Sequence, residues 1–364
     1  MAVSDVQNPK LSEFPAAVTS CLQEFFDSKR AQMLDIDPVV SQAVSFLEDM
    51  VIGGGKRMRP MFAWNGYWGA HGHDDEDPAA VLRAVSALEF IQACALIHDD
   101  IIDASDTRRG SPTVHRRVEA VHKTEGWNGD AADFGVGVAI LVGDLALSWA
   151  EEMLQTSGLS LAALQRVTTP WSAMKTEVIA GQILDITVES SGNEDPAIAE
   201  KVNRFKTAAY TIARPLHIGA ALADAPQPLI DSYLAFGHDI GIAFQLRDDL
   251  LGVFGDPEVT GKPAGDDLRE GKRTVLFAEA LKIADASKPA DAQRLREGIG
   301  STADPVELAE LAGIIKKLGA EEVVEKRIAE LTSAGLAHLD DTPLPDHIRT
   351  ALHELAVRAT NRAV

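Results

Sequence analysis

His98-Asp99-Asp100-Ile101-Ile102-Asp103 closes an apolar stretch that begins near Val81. On a helix, residues four apart share a face, so Asp99 and Asp103 point together and Asp100 is turned by about 100°. Three carboxylates within two turns repel one another, and nothing local neutralises them. An arbitrary acidic run is usually a solvated helix end. The strongly apolar face before this one argues instead for a hard cation gathering the oxygens, and oxygen-only ligands point to Mg²⁺ rather than Zn²⁺. A second apolar run ends the same way, in Phe244-Gln245-Leu246-Arg247-Asp248-Asp249.

Cations stand beside both clusters. Arg108 and Arg109 follow the first, and a guanidinium matches phosphate oxygens in a fixed fork. Upstream, Gly53-Gly54-Gly55-Lys56-Arg57-Met58-Arg59-Pro60 joins permissive glycines to three cations and a proline suited to the first turn of a helix. Gly261-Lys262 and Glu270-Gly271-Lys272-Arg273 follow the second cluster. None of these is a Walker A loop, because the fixed glycine and Ser/Thr positions fail at Lys56, Lys262 and Lys272. Together the clusters require two polyanions, one bound through metal and one bound directly by Lys and Arg.

The elements that must position these residues are helices. Apolar residues recur three and four apart, aromatics are only 5%, and strand signals are nearly absent. Helices are predicted over 15–30, 38–51, 60–69, 79–104, 138–155, 161–190, 196–222, 228–254, 273–284, 305–318, 320–338 and 345–362. No break between them has the length or composition of an interdomain linker, so residues 1–364 read as a single all-α domain, one large helical bundle.

The chain has 364 residues, 46% hydrophobic, with 34 Lys and Arg against 55 Asp and Glu, a net charge of −21. That balance excludes a broad basic surface for nucleic acid. Cys21 and Cys94 make neither a disulfide framework nor a CxxC motif. The N-terminus lacks a signal-peptide pattern, and the longest apolar run, Val136 to Trp149, is interrupted by Asp144 and too short to cross a bilayer. A cytoplasmic protein with no transmembrane segment is expected.

From GGGKRMRP to EGKR the chain resembles the trans-isoprenyl diphosphate synthases, the polyprenyl synthetase family, and is most like its bacterial geranylgeranyl diphosphate synthases. Five motifs stand in the family's order. The resemblance implies the isoprenoid synthase type I fold with a central cavity, a homodimer, and usually three Mg²⁺ ions per active site. Asp99, Asp100 and Asp103 match the first aspartate-rich motif, and Asp248 and Asp249 match the second. Arg108, Lys206, Lys262 and Lys272 match the cations of the allylic diphosphate site, which Asp185 also lines. Lys56, Arg59, Gln92 and Arg109 match the metal-free site for isopentenyl diphosphate. Lys206-Thr207 and Gln245 match groups beside the allylic carbon, and Asp266 an acid beside the second metal pair. One departure stands out: the third acid of the second motif is replaced by Gly252. The stretch His122 to Asp133 looks long for the family and receives no role.

The implied reaction is head-to-tail prenyl transfer by ionisation, condensation and elimination. Cys94 and Ala95 occupy positions where aromatic residues stop growth at fifteen carbons in the family. Both are small, which predicts geranylgeranyl diphosphate or longer, with the stop set deeper, among candidates such as Trp149 and Met153. The alternatives are a longer-chain polyprenyl synthase and a catalytically silent partner subunit. A class I terpene cyclase needs no second diphosphate site, and a purely structural bundle does not explain the ordered motifs.

Overall fold

The structure, a computed structural model, describes residues 13–70, 76–257 and 264–361. The helices are α1 (Phe14–Ile36), α2 (Pro38–Ile52), α3 (Met58–Gly69), α4 (Pro78–Ser86), α5 (Leu88–Ile102), α6 (Val114–Glu125), α7 (Ala131–Gln155), α8 (Leu161–Ser191) and α9 (Pro196–Val202). A π-helical segment, Asn203–Ala213, runs on into α10 (Arg214–Leu222). Then come α11 (Gln227–Phe254), α12 (Asp266–Glu270), α13 (Val275–Ser287), α14 (Pro289–Gly298), α15 (Pro305–Lys317), α16 (Ala320–Asp340) and α17 (Asp346–Thr360). The strands among the described residues are β1 (Thr107–Arg108) and β2 (Ser111–Pro112), a minimal antiparallel hairpin.

Local chemistry explains where helices begin. α2, α4, α9 and α15 each open on an Asp-Pro pair: Asp37, Asp77, Asp195 and Asp304 accept a hydrogen bond from the second residue of the helix, and proline fills the first position. Asp130 caps α7 through Ala132 and Asp133.

The boundaries depart from the sequence reading in several places, among them α1, which runs on to Ile36 past the expected end at 30, and the short additional helix α12. The helix expected over 79–104 is tightened at Ala87, where i→i+3 bonds join Ala87 to Ala84 and Phe90 to Ala87. The helix expected over 196–222 contains the π segment. α6 and α14 are additional helices; α6 presents Arg116, Glu119 and Lys123, ion-paired at three- and four-residue spacing, rather than a broad apolar stripe. Finally, α7 starts at Ala131, so the long stretch after His122 shrinks to a short turn. That turn is closed by the rings of His122, Trp127 and Phe134 and by His122 Nε2 against Asn128 O.

Contacts gather the chain into two compact units, Met1–Pro170 with Pro215–Pro226, and Trp171–Arg214 with Gln227–Val364. In the first, Phe25, Phe26, Phe90 and Trp149 form a four-ring core between α1, α5 and α7. Gly66 of α3 and Gly219 of α10 let those helices touch backbone to backbone; a Cβ on either would meet the other helix's carbonyl oxygen closer than 3.0 Å. In the second, Leu246 and Leu250 of α11 pack with Leu276 and Leu281 of α13, Leu311 of α15 and Ile328 of α16. Each such buried leucine or isoleucine contributes about 1.5–3 kcal/mol.

Among the described residues two segments are, by length and composition, long and apolar enough to cross a membrane, Pro78–Ile102 and Ala131–Gln155. The expectation that the second was too short therefore does not hold for α7. The first is 78% buried inside the protein, as a core helix is, while the second is 28% buried and leaves Ile140 and Leu141 exposed.

Candidate active site

In the first unit, α5 ends at the acidic cluster. Asp103 is its C-cap, its N–H bonded to Asp99 O. The expectation that nothing local neutralises the carboxylates is corrected by the turn after α5, which brings Arg108 of β1 back so that its Nε donates to Asp100 Oδ1 (2.7 Å) and its Nη2 to Asp99 Oδ2 (3.4 Å). Burial alone would depress the Arg108 pKa, but Asp100, Asp99 and Asp103 outweigh it and hold the guanidinium charge firmly. Gln92 lies two helical turns before Asp99 on the same face of α5.

Arg109 is directed elsewhere. Its backbone is left-handed (φ 55°), and its Nη atoms lie over Gly54 and Gly55 of the glycine loop. Burial, then the neighbouring Arg108, pushes its pKa down, with Arg57 and Arg59 adding to the effect. The three loop cations separate by role. Lys56 is exposed and Arg59 half-buried, whereas Arg57 is buried in an ion pair with Glu89, Nη1 to Oε2 at 2.5 Å. Cys94 is buried beside His98 (Sγ to Nδ1, 3.7 Å), and Ala95 is half-exposed. His98 packs on Gly143 and meets Ile140 O, a packing histidine as expected. Trp149 belongs to the four-ring core, and Met153 is buried.

In the second unit the π segment carries Lys206 and Thr207. Lys206 Nζ binds Asp185 Oδ2 of α8 at 2.6 Å. The Thr207 hydroxyl donates to Gln245 Oε1 (2.6 Å), and Gln245 Nε2 donates to Asp249 Oδ1 (2.8 Å). The chain approaches so closely because α8 and α11 offer glycines: a Cβ on Gly181 would strike Lys206, and one on Gly241 would strike Ala208. Burial pushes the Asp249 carboxyl up to about 8; the Gln245 hydrogen bond opposes this, and Asp267 and Asp248 reinforce it.

Beyond α11, the loop residue Lys262 lies outside the described residues. Lys272 pairs with Glu270. Asp266 accepts from Arg269 within its own helix (2.6 Å). The adjacent Asp267, which the sequence reading did not single out, is the acid that reaches α11: its carboxylate lies against Gly252, at the position of the motif's replaced acid. Only the positive-φ glycines Gly265 and Gly271 flanking α12 hint at such a return.

The donor set fits a hard divalent cation of a particular kind. Among the described residues no three acidic or histidine side chains converge on one point. Asp249 Oδ2, however, is buried with no hydrogen-bond partner, an orphaned carboxylate oxygen. Mg²⁺ is commonly held by one or two carboxylates, with water and substrate phosphate completing the octahedron, so a sparse carboxylate set suits it.

Comparison with known proteins agrees. The family model described as polyprenyl synthetase matches residues 41–315. A geranylgeranyl pyrophosphate synthase from Corynebacterium glutamicum, solved with isoprenyl diphosphate and magnesium, is 56% identical with a TM-score of 0.96, covering 98% of this chain and 100% of that one. A geranylfarnesyl diphosphate synthase of Aeropyrum pernix is 34% identical over 76% of this chain and 80% of its own. A (2E,6E)-farnesyl diphosphate synthase of Mycobacterium tuberculosis is 33% identical over 77% and 73%.

Proposed function

The chain belongs to the polyprenyl synthetase family, and on that footing we propose that this prenyltransferase condenses isopentenyl diphosphate head-to-tail with an allylic diphosphate to form geranylgeranyl diphosphate. The observation that carries the reading is the run Thr207–Gln245–Asp249. It sets a hydroxyl and an amide, able to shelter a carbocation, in rigid register with a carboxylate able to hold metal.

In this reading Asp99, Asp100, Asp103, Asp248 and Asp249 hold three Mg²⁺ ions, with Asp266 or, as its place against Gly252 favours, Asp267 as the further acid. When bound, the metal offsets charge developing on the departing diphosphate. Arg108, Lys206, Lys262 and Lys272 bind the allylic diphosphate, and Asp185 holds the Lys206 ammonium in place. Lys56, Arg59, Gln92 and Arg109 bind isopentenyl diphosphate. The Thr207 hydroxyl, the Gln245 amide oxygen and the backbone carbonyl near Lys206 face the allylic cation, and exclusion of water protects it. The departed diphosphate accepts the final proton.

Small Cys94 and Ala95 let the product pass fifteen carbons. The match over residues 41–315 runs through both compact units, and we read residues 1–364 as one prenyl synthase domain. The bare apolar face of α7, with Ile140 and Leu141, supports a homodimer covering it. Unpaired, buried Cys21 and Cys94 accord with a reducing, cytoplasmic setting.

The test is incubation with labelled isopentenyl diphosphate, Mg²⁺ and dimethylallyl, geranyl or farnesyl diphosphate, then sizing of the product. A twenty-carbon product is expected. No incorporation in any mixture would sink the reading, and a longer product would make the chain a longer-chain synthase.

A further inference from the structure

The ion pair beneath the glycine loop has a feature that packing alone does not explain. Glu89, in the first turn of α5, is 4% exposed. Its Oε2 accepts from Arg57, while its Oε1 is buried with no hydrogen-bond partner. Burying an ion pair and leaving one carboxylate oxygen unmatched is costly, and a well-packed apolar pair would avoid it. Arg57 bears a cost too, because its backbone is left-handed (φ 50°), a conformation that side chains other than glycine rarely adopt.

The arrangement secures the loop above it. Arg57 Nη2 reaches Ile52 O at the end of α2 (3.3 Å) and Thr19 Oγ1 of α1 (3.4 Å), so one guanidinium pins the start of the loop, α1 and α5 together. Arg109, itself left-handed, comes to the same place. A Cβ on Gly55 would lie 3.7 Å from Arg57 Nη1 and 3.6 Å from Arg109 Nη1. Two guanidiniums thus converge on one glycine, and Glu89 is the carboxylate bonded to the inner of them.

We propose that Glu89 is a positioning residue for isopentenyl diphosphate: through Arg57 it fixes the Gly53–Arg59 loop, and its charge allows Arg109 to stand over Gly55 without being driven off by Arg57. This rests on the functional reading above. It makes a prediction opposite in sign to simple electrostatics. A carboxylate near an anion site should weaken anion binding, so neutralising it should tighten binding unless the carboxylate is what holds the cations in place.

The experiment compares wild type with Glu89→Gln, isosteric but uncharged, and Glu89→Asp, charged but shorter. Steady-state kinetics would be run with each substrate varied in turn, with calorimetric titration of isopentenyl diphosphate in metal-free buffer. Glu89→Gln is expected to raise KM for isopentenyl diphosphate about tenfold and weaken its binding to match, with KM for the allylic substrate within twofold and product length unchanged. Glu89→Asp should shift the same constants in the same direction by less, and serves as the test if Glu89→Gln does not fold. Unchanged or tighter isopentenyl diphosphate binding in the folded variants, or equal losses for both substrates, would overturn the proposal. Wild type that incorporates no isopentenyl diphosphate would instead overturn the functional reading on which it rests.

Discussion

The carboxylate of Asp267 occupies the space into which a side chain at Gly252 would project. A Cβ added to Gly252 would lie closer than 3.0 Å to Cγ and both oxygens of Asp267. The two positions exclude each other, so the missing acid of the second motif and the acid fifteen residues later are alternatives for one volume. Gly252→Asp, which restores the family's usual residue, should therefore impair the enzyme by expelling Asp267. The Mg²⁺ concentration for half-maximal activity is expected to rise about tenfold or more, the scale of a lost outer ligand. A Mg²⁺ titration that leaves the variant equal to or better than wild type would refute this.

Asp249 should make the metal-free protein less stable as pH rises. Its folded pKa, near 8, lies above the ordinary carboxylate value, chiefly through burial. Between those values the native state binds a proton that the unfolded chain has lost, so stability falls as pH climbs through the window. Asp249→Asn lacks that slope. Urea midpoints measured in EDTA at pH 5 and pH 8 should show the variant gaining on wild type at the higher pH; parallel midpoints would count against the assignment.

Product length should respond to Ala95. It is half-exposed, one turn before Asp99 on nearly the same face of α5. Ala95→Phe is expected to shift the main product to fifteen carbons, read by chromatography of the dephosphorylated prenols. An unchanged distribution would remove Ala95 from the path of the growing chain.

The C-terminal helix is tied to the residue preceding Asp248. Arg247 Nη1 and Nη2 bind Glu325 of α16 at 2.5 and 2.7 Å, and its Nε donates to Thr360 O at the end of α17 (2.9 Å). Glu325→Ala leaves the guanidinium with its carbonyl contact alone. Because Glu325 is partly exposed, the expected loss is about 1–2 kcal/mol, below that of a wholly buried charged hydrogen bond. Denaturant unfolding would measure it, and hydrogen exchange should show the loosening concentrated in α16, whose tie to Arg247 is the one removed.

Much of this was legible in the chain because the relevant signals are short-range. Asp99 and Asp103 share a face through helical periodicity alone, and Asp-Pro pairs announce helix starts at positions 37, 77, 195 and 304. Contacts made across the fold carry no such signal. Arg57 looks like Lys56 and Arg59 until Glu89, 32 residues away, takes it into the core. Asp266 and Asp267 are indistinguishable in sequence, and the turn of α12 alone decides which faces Gly252. Arg108 pairs with carboxylates eight and nine residues back because the chain turns back directly after α5, with Ala104 left-handed and the Ser105 N–H donating to Asp100 O, and such a turn leaves no periodic pattern.

The π-helical segment holds one consequence for how this chain tolerates change in length. Its bonds run from each residue to the fifth along, so it contains more chain per turn than an α-helix. Removing one residue between Asn203 and Ala213 would let the backbone relax into an ordinary helix and rotate the residues before the deletion against those after it by about 100°. Lys206 and Thr207 could then no longer meet Asp185 and Gln245 together. The segment is a fixed length of thread between α9 and α10, and an alignment gap placed inside it would mark a protein that has given up this site.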